Sequence, residues 1–202
     1  MKLPGVLQLR ILIEAVKAVL FGPYTSKFPF VPVDPPDGYR GKPKYSEDDC
    51  VGCGACYEVC PARAIEMADD KEQKLRVLTH RPDVCIYCGQ CELACITEKG
   101  IRLTKEFNLA TYDRRQGVSE AKKELVICEN CGEVVGCLDH LKFLAKKVGN
   151  LLYSNPSLIL ARHAELKLLS ADLPDKSPHK RAGHLRMLCP NCRREMILNE
   201  QW

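Results

Sequence analysis

No run of about 18 apolar residues occurs in this 202-residue chain, so no membrane-spanning helix is expected. The N-terminal stretch has no small-residue cleavage site behind its apolar core, so it does not read as a secretory leader. Neither sign of charge dominates. The 30 Lys and Arg against 26 Asp and Glu leave a formal +4, too little to argue for a nucleic-acid partner. No basic stripe interleaved with aromatics is present to support one. Phosphate loops and nucleophile–base pairs are missing as well, and His80, His163, His179 and His184 are scattered, reading as surface or core residues rather than catalysts. A catalytic site of the chain's own is therefore not expected. The length allows one or two domains.

Cysteine is what the chain has in excess, with 13 residues. The odd number fits poorly with a secreted disulfide framework and better with metal–thiolate chemistry in a reducing compartment. Charge is uneven along the chain. Residues 1–45 hold 7 basic and 3 acidic side chains, residues 46–105 hold 8 and 11, and residues 106–202 hold 15 and 12. The basic start and the acidic middle are thus different surfaces.

The predicted fold class is α+β. Three segments are expected. In residues 1–44 a helix over Val6–Phe21 places Arg10, Glu14 and Lys17 on one face of an otherwise apolar cylinder, and Gly22-Pro23 ends it. The plain alternative is a buried core helix. The wide apolar face favours an amphipathic helix lying on a membrane or a membrane-embedded partner. Pro23, Pro29, Pro32, Pro35, Pro36 and Pro43 then make an extended strap. Residues 45–115 contain an internal repeat of loop, short helix and strand, with strands expected near Ala64–Met67, Lys74–Leu78 and Gly100–Thr104. Residues 106–127 read as a connector. In residues 116–202 a helical period runs from Cys137 to Leu152, a second helix begins at Asn155-Pro156 and runs to about Leu169, and a polar loop follows over 170–184.

The repeat carries the chemistry. Cys50-x2-Cys53-x2-Cys56-x3-Cys60-Pro61 and Cys85-x2-Cys88-x2-Cys91-x3-Cys95 have bacterial ferredoxin spacing, in which the fourth Cys ligates the other cluster. Three Cys on a tight loop grip three corners of a cubane from one side, and the fourth corner faces away. Cys50, Cys53, Cys56 and Cys95 are therefore assigned to one [4Fe–4S] cluster, and Cys85, Cys88, Cys91 and Cys60 to a second. Two zinc sites are the alternative, disfavoured by eight Cys in two such runs. Gly52, Gly54 and Gly89 leave room for amides to turn toward cluster sulfurs. Ile96 stands where a Pro would follow the second run. A separate pair of knuckles, Cys128-x2-Cys131 and Cys189-Pro190-x-Cys192, reads as a zinc-ribbon or rubredoxin-like tetrathiolate site for one Zn²⁺ or, alternatively, iron. Its wide separation makes the intervening helices an insertion clamped by the metal. Cys137 and His140 are candidate substitute ligands, with a small buried hydrophobe as the plainer role for Cys137.

The amphipathic start, Arg40-Gly41-Lys42-Pro43 ahead of Cys50, both runs, and Glu106-Phe107-Asn108-Leu109-Ala110 resemble the two-cluster ferredoxin-like subunit shared by respiratory complex I and membrane-bound [NiFe] hydrogenases. The resemblance covers roughly residues 1–115. The C-x-x-C…C-P-x-C tail is similar to the iron–sulfur subunit of formate hydrogenlyase and related energy-converting hydrogenases. It implies a peripheral subunit on the cytoplasmic side of the cell membrane. That subunit would relay electrons toward the hydrogenase small and large subunits, beside the complex's membrane subunits. Formate dehydrogenase, carbon monoxide dehydrogenase or a soluble ferredoxin would be its upstream donor. The alternatives are the complex I counterpart and, in another class, a freely diffusing ferredoxin, for which the N-terminal helix and strap have no use.

Overall fold

The computed structural model describes residues 9–22, 25, 27–166 and 186–199. The chain divides into two units, residues 1–37 and 38–202. In the first, helix α1 (Leu9–Phe21) is 13 residues long and has no buried residue. Its charged face holds a Glu14–Lys17 ion pair at 3.0 Å. Among the described residues no helix is long and apolar enough to cross a membrane.

The second unit is built on the cysteine repeat. Strand β1 (Pro43–Tyr45) leads into the first run, helix α2 (Ala55–Glu58) closes it, and strand β2 (Ile65–Asp70) leaves it. Strand β3 (Leu75–His80), helix α3 (Gln90–Leu93) and strand β4 (Ile101–Leu103) do the same for the second run. The strands pair crosswise: β1 is antiparallel to β4 with Tyr45 opposite Ile101, and β2 is antiparallel to β3 with Ile65 opposite His80. This is the pseudo-twofold unit expected from the repeat. Its core joins Tyr45, Ile65, Leu78, Ile101 and Ala121 to Cys50, Cys56 and Cys91.

The segment read as a connector contains a strand. Strand β5 (Ser119–Ile127) is antiparallel to β3 over six residue pairs, from Leu75–Glu124 to His80–Ser119. Only Ala121 and Leu125 of it are buried, at positions four apart amid charged residues, so the alternation that marks a strand is faint. Strand β6 (Val134–Cys137) completes a four-stranded sheet in the order β2-β3-β5-β6, which runs across the boundary expected at residues 115–116.

The helix expected over Cys137–Leu152 is divided. Cys137 ends β6, helix α4 spans Leu138–Val148, and a 3₁₀ turn covers Gly149–Ser154. Helix α5 (Pro156–Glu165) starts as its sequence predicts, with the Asn155 side chain accepting from the Ser157 and Leu158 amides at 3.0 and 3.4 Å and Pro156 in the first turn. Leu141 on α4 packs with Leu158 and Ala161 on α5. The loop expected over 170–184 lies outside the described residues. Helix α6 (Pro190–Asn199) begins inside the last C-x-x-C pair.

Candidate metal centres

Each cysteine run folds the same way because the backbone turns left-handed at matching places. Gly54 and Gly89, at φ +80° and +82°, cap α2 and α3. One residue before the second Cys of each run, Gly52 and Tyr87 have φ +69° and +53°. The resulting loops face two cavities. One is lined by Cys50, Cys53 and Cys56 with Cys95 of the other run, beside Tyr45 and Leu78. The second is lined by Cys85, Cys88 and Cys91 with Cys60, beside Ile65 and His80. Each cavity thus gathers three sulfurs from one loop and the fourth from the other.

The donor chemistry suits a metal-centred group. Burial pushes the Cys56 thiol up to about 11 and the Cys91 thiol up to about 12, and it raises Cys50 and Cys85 as well. Thiolates in such a setting need a compensating cation. At Cys95 burial is outweighed by the Thr97 hydroxyl and the amides of Thr97, Gly100 and Ile101, and the thiol is lowered. Further donors already point at sulfur: the Ala64 amide lies 3.2 Å from Cys60 Sγ and the Tyr87 amide 3.4 Å from Cys85 Sγ. Among the described residues none of the eight run cysteines joins a group tight enough for a single ion. Four thiols set around the wall of each cavity fit the corners of a cubane.

The knuckle cysteines behave differently. The Sγ atoms of Cys128, Cys131, Cys189 and Cys192 all lie within 4.8 Å of one another. Tetrahedral coordination at about 2.3 Å per Zn–S bond sets sulfurs about 3.8 Å apart, and Cys131 Sγ lies 3.6 Å from Cys189 Sγ. Burial opposes ionisation of Cys128, yet the amides of Cys131, Cys189 and Asn130 converge on it and hold its thiol below the ordinary range. The two knuckles are stitched together beside the sulfurs. Glu129 N donates to Met187 O at 2.9 Å, Met187 N donates to the Glu129 carboxylate at 2.9 Å, and Arg186 pairs with the same carboxylate at 3.2 Å. Ser157 of α5 receives Arg193 Nη2 at 2.7 Å and donates to Leu188 O at 3.4 Å, which ties α5 to the same corner. Cys137 and His140 are not in this group. Cys137 is fully buried against the first loop, where its Sγ donates to Gly52 O at 3.3 Å.

The segments Arg40–Pro43 and Glu106–Ala110, far apart in sequence, meet in space. Gly41 N donates to Thr104 O at 3.0 Å, Lys42 N to Glu106 O at 3.1 Å, and the Tyr39 and Phe107 rings meet edge to face at 6.2 Å. They brace the second loop, where Arg40 Nη1 reaches Cys88 O at 3.4 Å. Three residues around the cavities escape a sequence reading: His80, the Cys137 contact, and Lys123 of β5, whose Nζ donates to Glu47 O beside the first run. Only His80 carries a local signal, being the inward position two residues after Leu78 on β3.

Residues 49–99 match the model of a 4Fe-4S dicluster domain. The chain belongs to the family of two-cluster iron–sulfur subunits represented by NADH-quinone oxidoreductase subunit I. Among its relatives, NADH-quinone oxidoreductase subunit I 2 of Geobacter metallireducens is 32% identical over 111 residues, covering 51% of this chain and 84% of that protein. Formate hydrogenlyase subunit 6 of Escherichia coli is 35% identical over 54 residues, 27% of this chain and 30% of that one. The chain spans about half the length of the NAD(P)H-quinone oxidoreductase subunits I of Gloeobacter violaceus and Synechococcus elongatus that it also matches. A solved structure of the membrane-bound sulfane sulfur reductase, an archaeal respiratory membrane complex, contains a chain matched at a TM-score of 0.38. The two share 26% identity, over 55% of this chain and 58% of that one.

Proposed function

We propose that the chain is an electron-relay subunit of a membrane-bound oxidoreductase complex of the formate hydrogenlyase type. In this reading it passes electrons from a donor module (formate dehydrogenase, carbon monoxide dehydrogenase or a ferredoxin) toward a [NiFe] hydrogenase. Two [4Fe–4S] clusters, when bound, supply one-electron storage. Cys50, Cys53, Cys56 and Cys95 would hold one, and Cys85, Cys88, Cys91 and Cys60 the other. The observation that carries this is the exchange of the fourth cysteine between two thiol-lined cavities. It makes each run depend on the other and keeps the two cavities adjacent. Cys128, Cys131, Cys189 and Cys192 would hold one Zn²⁺ with no open position, a structural clamp. The α1 apolar face would seat the subunit on its complex at the cytoplasmic side of the membrane.

The family resemblance of the tail favours the hydrogenase over complex I. The complex I counterpart is the second reading, favoured by the longer match to NADH-quinone oxidoreductase subunit I 2. Anaerobic purification of the tagged chain from its own cells, with metal analysis and identification of co-purifying subunits, separates the two. About eight irons with one zinc, beside a [NiFe] large subunit, is the expected result. NADH-oxidising and quinone-site subunits in its place would support the second reading. Cys60→Ser should abolish the EPR signal of the cluster at Cys85, Cys88 and Cys91 and spare the other. Loss of the Cys50-side signal alone would overturn the crossed assignment.

A further inference from the structure

His80 is the only described side chain with fully buried polar atoms that lack a hydrogen-bond partner among the described residues, and both ring nitrogens are in that state. The residue is 1% exposed. A buried imidazole without a partner is costly, so such an atom marks a place where something else is bound. The ring lies on the wall of the second cavity, together with Cys60, Cys85, Cys88 and Cys91. Burial, helped by the nearby Lys42 charge, pushes its pKa down to about 4. A neutral ring carries one N–H and a charged ring two, so an imidazole on this wall has a donor to offer in either form.

The repeat supplies an independent observation. Tyr45 and His80 both stand five residues before the first Cys of their runs, at the ends of β1 and β3. Their strand partners correspond too, since Tyr45 faces Ile101 and His80 faces Ile65. Tyr45 lines the first cavity, and its hydroxyl lies 3.4 Å from Cys56 Sγ, the third Cys of that run. Each cavity thus receives one polar-tipped ring from the strand that precedes its loop. In the first cavity that ring already meets a sulfur ligand; in the second the ring's nitrogens have no partner among the described residues.

We infer that His80 is a positioning residue that donates its N–H to a sulfur, thiolate or sulfide, of the cubane held by Cys60, Cys85, Cys88 and Cys91, and thereby raises that cluster's reduction potential. The inference rests on the two-cluster reading above. A hydrogen bond to sulfur favours the more negative, reduced cluster, so its removal lowers the potential. Only the cluster in the second cavity is affected, because His80 does not line the first.

The test is an EPR-monitored redox titration of the full chain, anaerobically loaded with iron and sulfide. It compares the wild type, His80→Leu, His80→Gln and, as the matching change in the other half, Tyr45→Phe. His80→Leu should lower the reduction equilibrium constant of the second cluster about tenfold, about 59 mV for one electron, and leave the first unmoved. His80→Gln keeps an N–H and should recover most of the loss. Tyr45→Phe should shift the first cluster alone. In the wild type, a weak ¹⁴N coupling on the reduced second cluster should be present; it decides the question even where His80→Leu does not assemble. Unchanged potentials, equal shifts of both clusters, or no ¹⁴N coupling beyond that of backbone amides would overturn the inference while the two-cluster reading stands. A chain that takes up no cubanes overturns both.

Discussion

Gly52 and Tyr87 occupy equivalent left-handed positions, yet one is glycine and the other carries a ring. A Cβ on Gly52 would sit 2.7 Å from Cys137 Sγ and 3.0 Å from Lys123 Cβ, so β5 and β6 leave no space for a side chain there. The second loop has no such cover, and Tyr87 extends from it to donate its hydroxyl to Pro82 O at 3.2 Å. Gly52→Ala should cost about 1–3 kcal/mol through overpacking, whereas Tyr87→Gly should cost less. Anaerobic guanidinium unfolding of the two variants checks the order. Gly52 O also accepts from Arg76 Nη1 at 3.0 Å, and Arg76 grips Asp69 through two contacts of 2.7 Å. This hydrogen-bonded ion pair holds the Asp69 carboxyl below its ordinary range. The folded state therefore binds that proton more weakly than the unfolded one. The resulting stabilisation is complete above the unfolded value of about 3.9 and is lost as pH falls through the lower folded value. Asp69→Asn should be less stable than the wild type at pH 7, by about 1.5–3 kcal/mol for a charge-assisted bond. The gap should close below about pH 4, as urea titrations across that range would register.

At the scale of elements, β5 makes the difference between a two-cluster repeat and this molecule. It pairs with β3 along the whole of that strand, places Ala121 opposite Leu78, and buries both almost completely. Without it the β3 edge and Leu78 would face water beside the first cavity. A chain ending at Arg115 holds all eight run cysteines and should still fail to retain its iron. Size-exclusion chromatography with iron analysis, against the full chain, tests this; a monodisperse fragment with a full iron complement would contradict it. β5 and β6 also break the pseudo-symmetry. They cover the first loop and leave Ile86 and Leu93 on the second loop and its helix exposed, at 62% and 80%.

For the molecule as a whole, the knuckle cysteines join distant chain segments, with Cys131 and Cys189 standing 58 positions apart. A metal held there would act as folding energy for the region it closes. Cys189→Ser should open residues 128–202 to proteolysis and lower the yield of any complex, with the four-iron EPR signals unchanged. A stable tail combined with loss of electron flow to the catalytic module would instead make the site an iron-bearing redox station. If the chain works in the proposed complex, deletion of residues 1–22 should release it from that complex while both clusters assemble. The motive is the unburied apolar surface of α1, where Val19 and Phe21 are 84% and 86% exposed. Sedimentation of the truncated chain with the intact complex would show that the helix has no anchoring role.

Much of the chemistry was legible along the chain because it depends on local spacing. Two runs of x2, x2 and x3 require tight loops, Asn155-Pro156 signals a helix start, and the repeat itself implies paired halves. Those features are set by backbone geometry within a few residues. What only the tertiary structure decided depends on contacts between distant segments. Charged β5 became a strand because β3 offered it a partner. Cys137 joined the first loop rather than the knuckles because β6 delivers it to Gly52. His80, one scattered histidine among several in the sequence, reached a cavity wall because strand alternation and the fold together turned it inward, where no other described side chain or backbone group bonds its ring.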